Sequence, residues 1–271
     1  MPASFTVAVI GLGEAGSTIA HDLVRAGIQV HGWDPAPRGD VSQIPLAENS
    51  LAAAEPADVI LSINVALVAL SVARDLLPVL RPGQIFADLN TSAPVLKREL
   101  AALVEPTGAA FVDLALMAPV PGHGLRTPAL ASGSGASTFI ELFKPLGMPV
   151  TLVDHQAGSA AQRKLLRSIF MKGLAAAVIE SIEAASAAGC LEWMRGEITN
   201  QLIEADEALL DRLIEGSRKH AVRRTEEMIA ATDLLHDLHI EPRIAQAALA
   251  WLQELAKNSS PDRLDPTEFT G

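Results

Sequence analysis

An apolar run, Phe5 to Ile10, breaks directly into Gly11-Leu12-Gly13-Glu14-Ala15-Gly16, and a helix-forming stretch follows from Ser17 to Ala26. A strand, a Gly-x-Gly-x-x-Gly turn and a helix in that order suit the pyrophosphate of a dinucleotide. The first glycine turns the chain tightly, the second lets backbone approach the phosphates, and the third lets helix and strand pack closely. The helix N-terminus then offers unpaired N–H groups to the anion. A second apolar run, Gln29 to Trp33, ends in Asp34. A carboxylate roughly twenty residues past the first glycine accepts hydrogen bonds from the adenosine ribose hydroxyls. Such a carboxylate repels a 2′-phosphate, so NAD is the expected cofactor. Arg38, beyond Pro35 and Pro37, is the residue that would reach the phosphate of NADP, the alternative. Asn64, just past the third apolar run, is placed with the cofactor contacts.

Three further segments carry polar residues to the ends of predicted strands. Asp88-Leu-Asn90-Thr91-Ser92-Ala-Pro94 follows the fourth strand, and ligands of open parallel sheets bind beyond the carboxyl ends of the strands. Asn90, Thr91 and Ser92 are therefore candidates to contact nicotinamide or substrate; alternatively, Thr91 or Ser92 caps the helix beginning near Pro94. Phe111 to Gly124 runs from a strand into a loop rich in proline and glycine, with Met117, Pro119 and His123 as pocket residues. His123 is either an acid–base group or a solvated turn residue. In Gly158 to Ser168, Lys164 and Ser168 are four apart and share one helix face. A lysine desolvated beside a nicotinamide can shuttle a proton to or from a hydroxyl, whereas an isolated one is ordinarily a surface residue. His220, Arg223, Arg224 and Glu227 fall at i, i+3, i+4 and i+7, one polar helical face that is either solvated or turned to an anionic ligand.

The elements that must position these residues change character near Gly158. Up to about Val153, strands predicted at 5–10, 28–33, 58–63, 84–89, 109–113 and 149–153 alternate with helices near 14–26, 49–53, 66–78, 94–103 and 136–145. That alternation predicts a parallel sheet covered on both faces, an α/β Rossmann-like domain. Beyond it the chain reads as helices only: one long helix over 160–188, then 191–203, 206–236 with a break near Gly216, and 242–256. The expected organisation is a dinucleotide-binding domain at 1–154, an all-α domain at 155–257 reached through the long helix, and a polar tail, loosely attached, at 258–271.

Composition narrows the function classes. The 271 residues carry a net charge of −11, which argues against nucleic acid or an anionic membrane as a partner. The single cysteine, Cys190, excludes an intrachain disulfide and fits a reducing cytoplasm. The N-terminus lacks a basic segment ahead of an apolar core, and the longest apolar run, near Val59–Leu70, is too short to span a bilayer. The chain has no tyrosine, so it cannot use a Tyr-Lys couple of the short-chain dehydrogenase kind. No metal is called for by these motifs.

Gly11–Gly16, Asp88–Pro94, Asp113–Gly124 and Gly158–Ser168 stand in one order that resembles the β-hydroxyacid dehydrogenases, the group containing 3-hydroxyisobutyrate and 6-phosphogluconate dehydrogenases. The resemblance implies hydride transfer between NAD(P) and a small hydroxy acid or its oxo form, with Lys164 as catalytic acid/base. It also implies a homodimer and a small, anionic substrate. The family's substrate loop reads Asp-x-Pro-Val-Ser-Gly-Gly, but this chain has Met117-Ala118-Pro119, and Pro119 offers no N–H for a carboxylate. Ser168 stands where the family has asparagine, and Asn90 where it commonly has serine. The His-x-x-Arg-Arg-x-x-Glu-Met run from His220 resembles a divergent branch of the family with its own C-terminal helical domain. Imine reductases share the architecture but usually carry Asp or Tyr at the position of Lys164. A non-catalytic dinucleotide sensor would typically have lost that lysine.

Overall fold

The computed structural model describes residues 5–258. Most of the predicted polar tail, 259–271, lies outside the described residues. The chain divides into two compact units, with the division between Arg167 and Ser168, inside the long helix.

The first unit is built on a seven-stranded sheet of order β2-β1-β3-β4-β5-β6-β7. Its strands are β1 (Thr6–Ile10), β2 (Gln29–Trp33), β3 (Val59–Ser62), β4 (Ile85–Asp88), β5 (Ala110–Leu116), β6 (Ala129–Ser132) and β7 (Val150–Asp154). The helices are α1 (Glu14–Arg25), α2 (Ser50–Ala54), α3 (Ala69–Leu76), α4 (Pro94–Val104), α5 (Ala136–Phe143) and the first turns of α6 (Ser159–Ala187). The central strands β1, β3 and β4 are buried along nearly their whole length because both faces of the sheet are covered. Val7 and Val9 join a core with Leu23 of α1 and Phe139 and Phe143 of α5. Ala8 and Ile10 join a separate core with Ala73 and Leu76 of α3 and Leu100 and Val104 of α4.

The sheet departs from the expected all-parallel arrangement at β6, which pairs antiparallel to β5 with Asp113 opposite Ser132. A parallel return needs a crossover, usually a helix. The Pro/Gly-rich segment between β5 and β6 contains only the 3₁₀ turn Gly124–Arg126, so the chain reverses instead. Parallel pairing resumes between β6 and β7 after α5. The segment expected as one helix over 66–78 is α3 flanked by two 3₁₀ turns.

The second unit contains the rest of α6, then α7 (Leu191–Ile203), α8 (Glu207–Lys219), α9 (Ala221–Asp237) and α10 (Arg243–Asn258). The break predicted near Gly216 falls instead at His220, whose backbone (φ −113°, ψ 24°) leaves the helical region between α8 and α9. The start of α10 is held by Glu180 of α6, whose two carboxylate oxygens accept from the N–H groups of Ile244 and Ala245, both at 2.8 Å. No helix among the described residues is long and apolar enough to cross a membrane.

Candidate active site

The glycine turn after β1 fits a pyrophosphate. Gly11 has φ +108°, and a Cβ there would lie 2.2 Å from the carbonyl oxygen of Ile63. A Cβ on Gly16 would lie 1.9 Å from the Gly11 carbonyl oxygen, so α1 can pack on the strand only with glycine at that position. Above Gly13 the space is open. Gly13 is the N-cap of α1 and supplies no side-chain cap, and the N–H groups of Gly13, Glu14 and Ala15 have no protein acceptor among the described residues. These are the donors that an anion at a helix N-terminus uses. Leu12 has a different role: its side chain is fully buried, and its N–H donates to Asp34 Oδ2 at 2.7 Å.

Asp34 therefore stands at the rim of the glycine cradle, its other oxygen accepting from Ala36 N at 2.8 Å. Each carboxylate oxygen keeps a second lone pair, so ribose hydroxyls can still donate to it. Arg38 is exposed on the following loop and lines a cleft with Glu14, Ser17 and Thr18 of α1. Asn64 reaches the same cradle, since a Cβ on Gly11 would meet its Oδ1 at 2.7 Å.

At the carboxyl ends of β4 and β5 a second cluster forms around Lys164. Its Nζ donates to Thr91 Oγ1 at 2.8 Å. Asn90, Thr91, Ser92, Asp113, Ala115 and Lys164 line one small recess. Neither Thr91 nor Ser92 caps α4, because the N-cap is Ala93 and Pro94 opens the helix. Ser92 Oγ is buried and has no hydrogen-bond partner among the described residues, an uncompensated hydroxyl in a residue that lines the recess. Asn90 is buried and holds the loops together: its Oδ1 accepts from Asn64 N at 2.6 Å and its Nδ2 donates to Asp88 Oδ1 at 2.5 Å. Burial pushes the Lys164 amine below the ordinary lysine value; the Lys97 ammonium adds to this and the Asp113 carboxylate opposes it.

The remaining candidates separate. Met117 stays near the cluster, its carbonyl oxygen accepting from Arg167 Nη1 at 3.3 Å. Pro119 is exposed at the start of the reversal. His123 is not among the residues that line the recess around Lys164. The loop docks on α1, where Asp22 Oδ2 accepts from Leu125 N at 2.8 Å, and His123 lines a cleft with Thr18, Asp22 and Arg25. Ser168 lies one helical turn past Lys164 on α6. His220 is not on a shared helical face but precedes α9 as its N-cap. Arg223 pairs with Glu227 at 2.5 Å, both well exposed, while Arg224 donates to Ser217 Oγ at 2.6 Å across the α8–α9 junction.

Sequence reasoning missed Lys97. Its Nζ lies 2.6 Å from Asp88 Oδ2 and 3.2 Å from Asp113 Oδ1, with all three side chains essentially fully buried. The signal was present in the spacing, since Lys97, Leu100, Ala101 and Val104 are the buried residues of α4, the i, i+3, i+4, i+7 stripe of a core-facing helix. Arg167 was missed as well, although it lies three residues past Lys164.

Residues 6–125, the segment carrying the cradle and Thr91, match the NAD binding domain of 6-phosphogluconate dehydrogenase. Residues 185–255 match a domain of unknown function, DUF1932, so this NAD-binding domain is joined to a distinct helical one. Over 138 residues the chain is 30% identical to a probable 3-hydroxyisobutyrate dehydrogenase from Mycobacterium bovis, a match covering 49% of this chain and 47% of that protein. The chain thus spans about half the length of that curated relative. Among solved structures, a conserved hypothetical protein from Sinorhizobium meliloti 1021 is 27% identical with a TM-score of 0.63, covering 93% of this chain and 89% of the other. An imine reductase from Myxococcus stipitatus, a variant in complex with NAD+, is 19% identical with a TM-score of 0.81, covering 94% of both chains. That second likeness establishes shared architecture around the NAD-binding domain.

Proposed function

We propose that the protein is an NAD(P)-dependent oxidoreductase that moves a hydride between the nicotinamide and a carbon of a small hydroxy acid or its oxo form. The observation that carries this reading is the hydrogen bond from Lys164 to Thr91 at the carboxyl end of the sheet, in a domain of NAD-binding type. Gly11, Gly13 and Gly16 and the free N–H groups at the start of α1 would hold the pyrophosphate, and Asp34 the adenosine ribose, which favours NAD. NAD supplies the hydride acceptor or donor. Lys164 takes the hydroxyl proton in one direction and returns it in the other, a role helped by an amine whose proton affinity burial has lowered. Ser92 and Thr91 offer hydroxyls to the substrate oxygen. Arg167, exposed beside the Met117 carbonyl, supplies a guanidinium where Pro119 withholds a backbone donor. Arg223 and Arg224 are further anion donors only if the substrate displaces Glu227 and Ser217 from them.

The region 155–257 is assigned to substrate selection and pairing of two chains. The helical unit supports a homodimer because it exposes Ile169, Phe170, Trp193, Ile203 and Trp251, each more than 60% accessible. The single Cys190 suits a cytoplasmic setting. A panel of hydroxy acids, oxo acids and cyclic imines, each with both nicotinamide cofactors and followed by nicotinamide absorbance, tests the assignment. Turnover of an acid with NAD supports it. Turnover confined to imines would replace it with reduction at a C=N bond.

A further inference from the structure

The charged cluster beneath the recess has a geometry that the proton role of Lys164 alone does not require. Asp88 and Asp113 are register partners on β4 and β5, so their side chains leave the same face of the sheet side by side. Lys97 of α4 sits at both, 1% exposed, its Nζ also donating to the Asp88 carbonyl oxygen at 2.9 Å. Two carboxylates in a dry site repel, and one ammonium between them offsets most of that cost. Burial still pushes the Asp88 carboxyl above its ordinary value, against the hold of Lys97 and Asn90.

The cluster extends into α6. Asp113 Oδ2 accepts from the N–H of Ala161 at 2.9 Å and from Ser132 Oγ at 3.2 Å, and that same Ser132 hydroxyl accepts from Ala160 N at 3.0 Å. The first turn of α6, which lacks a capping side chain of its own, is thus capped from β5 and β6. Lys164 is one turn further along that helix. On the other side, Asp88 holds Asn90, and Asn90 holds the loops that present Thr91 and Asn64.

We propose that Lys97, Asp88 and Asp113 form one buried positioning unit for Lys164, which seats the first turn of α6, orders the Thr91 loop and keeps a fixed pattern of charge beneath the Lys164 amine. Lys97 is a positioning residue, acting on the reaction only through Lys164. The charged groups acting on that amine are Lys97 from α4 and Asp113 from β5. Lys97 favours loss of the Lys164 proton and Asp113 opposes it. The inference rests on Lys164 as proton carrier only for its catalytic consequence, because the proton affinity of the amine can be read without any substrate.

Competitive acetylation of the full chain with acetic anhydride between about pH 6 and 11, read by mass spectrometry at Lys164, gives the midpoint at which the amine becomes reactive. Two variants move it in opposite directions. Lys97→Met combined with Asp88→Asn removes the cation together with its nearest partner and raises the midpoint, because Lys97 favours loss of the Lys164 proton. Asp113→Asn keeps an oxygen for the Ala161 N–H and leaves Lys97 paired with Asp88, and it lowers the midpoint. Either shift in the stated direction in a folded variant supports the unit. An unchanged midpoint in Asp113→Asn, or a shift in the other direction, overturns it, whether or not the double variant folds. Failure of the hydroxy acid panel with these shifts intact would instead refute the reaction and leave the unit standing.

Discussion

Lys164 Nζ and Thr91 Oγ1 are 2.8 Å apart, although 73 residues of chain separate them, so the loop after β4 and the helix α6 converge on one hydrogen bond. Thr91 accepts the proton that the amine directs at it and fixes the direction of the lysine side chain. Thr91→Val preserves shape and removes the acceptor. Turnover should fall about tenfold to a hundredfold, as expected when a reacting group loses its alignment, and Thr91→Ser should recover most of it. Parent-like turnover in Thr91→Val, measured at saturating cofactor, would show that the bond is incidental.

The cofactor preference rests on Asp34. Calorimetric titration should show NADH binding more tightly than NADPH. Asp34→Asn retains an acceptor for Leu12 N and removes the charge, so the cradle should stay folded while the preference narrows by about 1–2 kcal/mol. Tighter binding of NADPH by the parent protein would transfer the deciding role to Arg38.

Burial lowers the proton affinity of Lys164, and this has a consequence for stability. A group whose folded value is depressed contributes stability above its unfolded value, about 10.4 for lysine, and loses it as pH falls through the folded value. At neutral pH the charged amine is therefore held against a cost. Lys164→Met should unfold at a higher temperature than the parent near pH 7, and that advantage should shrink as pH approaches the ordinary lysine value. An equal or lower melting temperature at pH 7, followed by circular dichroism, would remove desolvation as the cause of the shift.

The dinucleotide cradle was legible because it is local: the close approaches at Gly11 and Gly16 are dictated by residues within one strand–turn–helix segment and by its neighbouring strand. The helix carrying Lys164 was legible from composition, since Ala, Leu, Glu and Arg recur from Ser159 to Ala187 and no proline interrupts them. The reversal into β6 was not, since a short apolar run does not reveal the direction in which it pairs. Nor was the docking of the loop on Asp22, a contact that joins residues 103 apart. Lys97 belongs to none of the motifs that the sequence presents. Its place on the buried stripe of α4 was readable, but its two partners lie on separate strands whose register sequence does not give.

In the helical unit, Glu180 takes both N–H groups at the start of α10. Glu180→Ala should cost about 1–2 kcal/mol, the scale of a lost helix cap, seen as a lower denaturant midpoint with NADH affinity unchanged. No change in the midpoint would mean that solvent replaces the carboxylate without loss.

The most direct test of the account is the turnover of Lys164→Met on the best hydroxy acid found for the parent protein, with NADH affinity measured in parallel. Removing a positioned acid–base group should lower kcat by roughly 10²–10⁴-fold, with NADH bound as in the parent because the amine makes no contact with the glycine cradle. A variant that keeps near-parent kcat while binding NADH normally would contradict the assignment of Lys164 as the proton carrier.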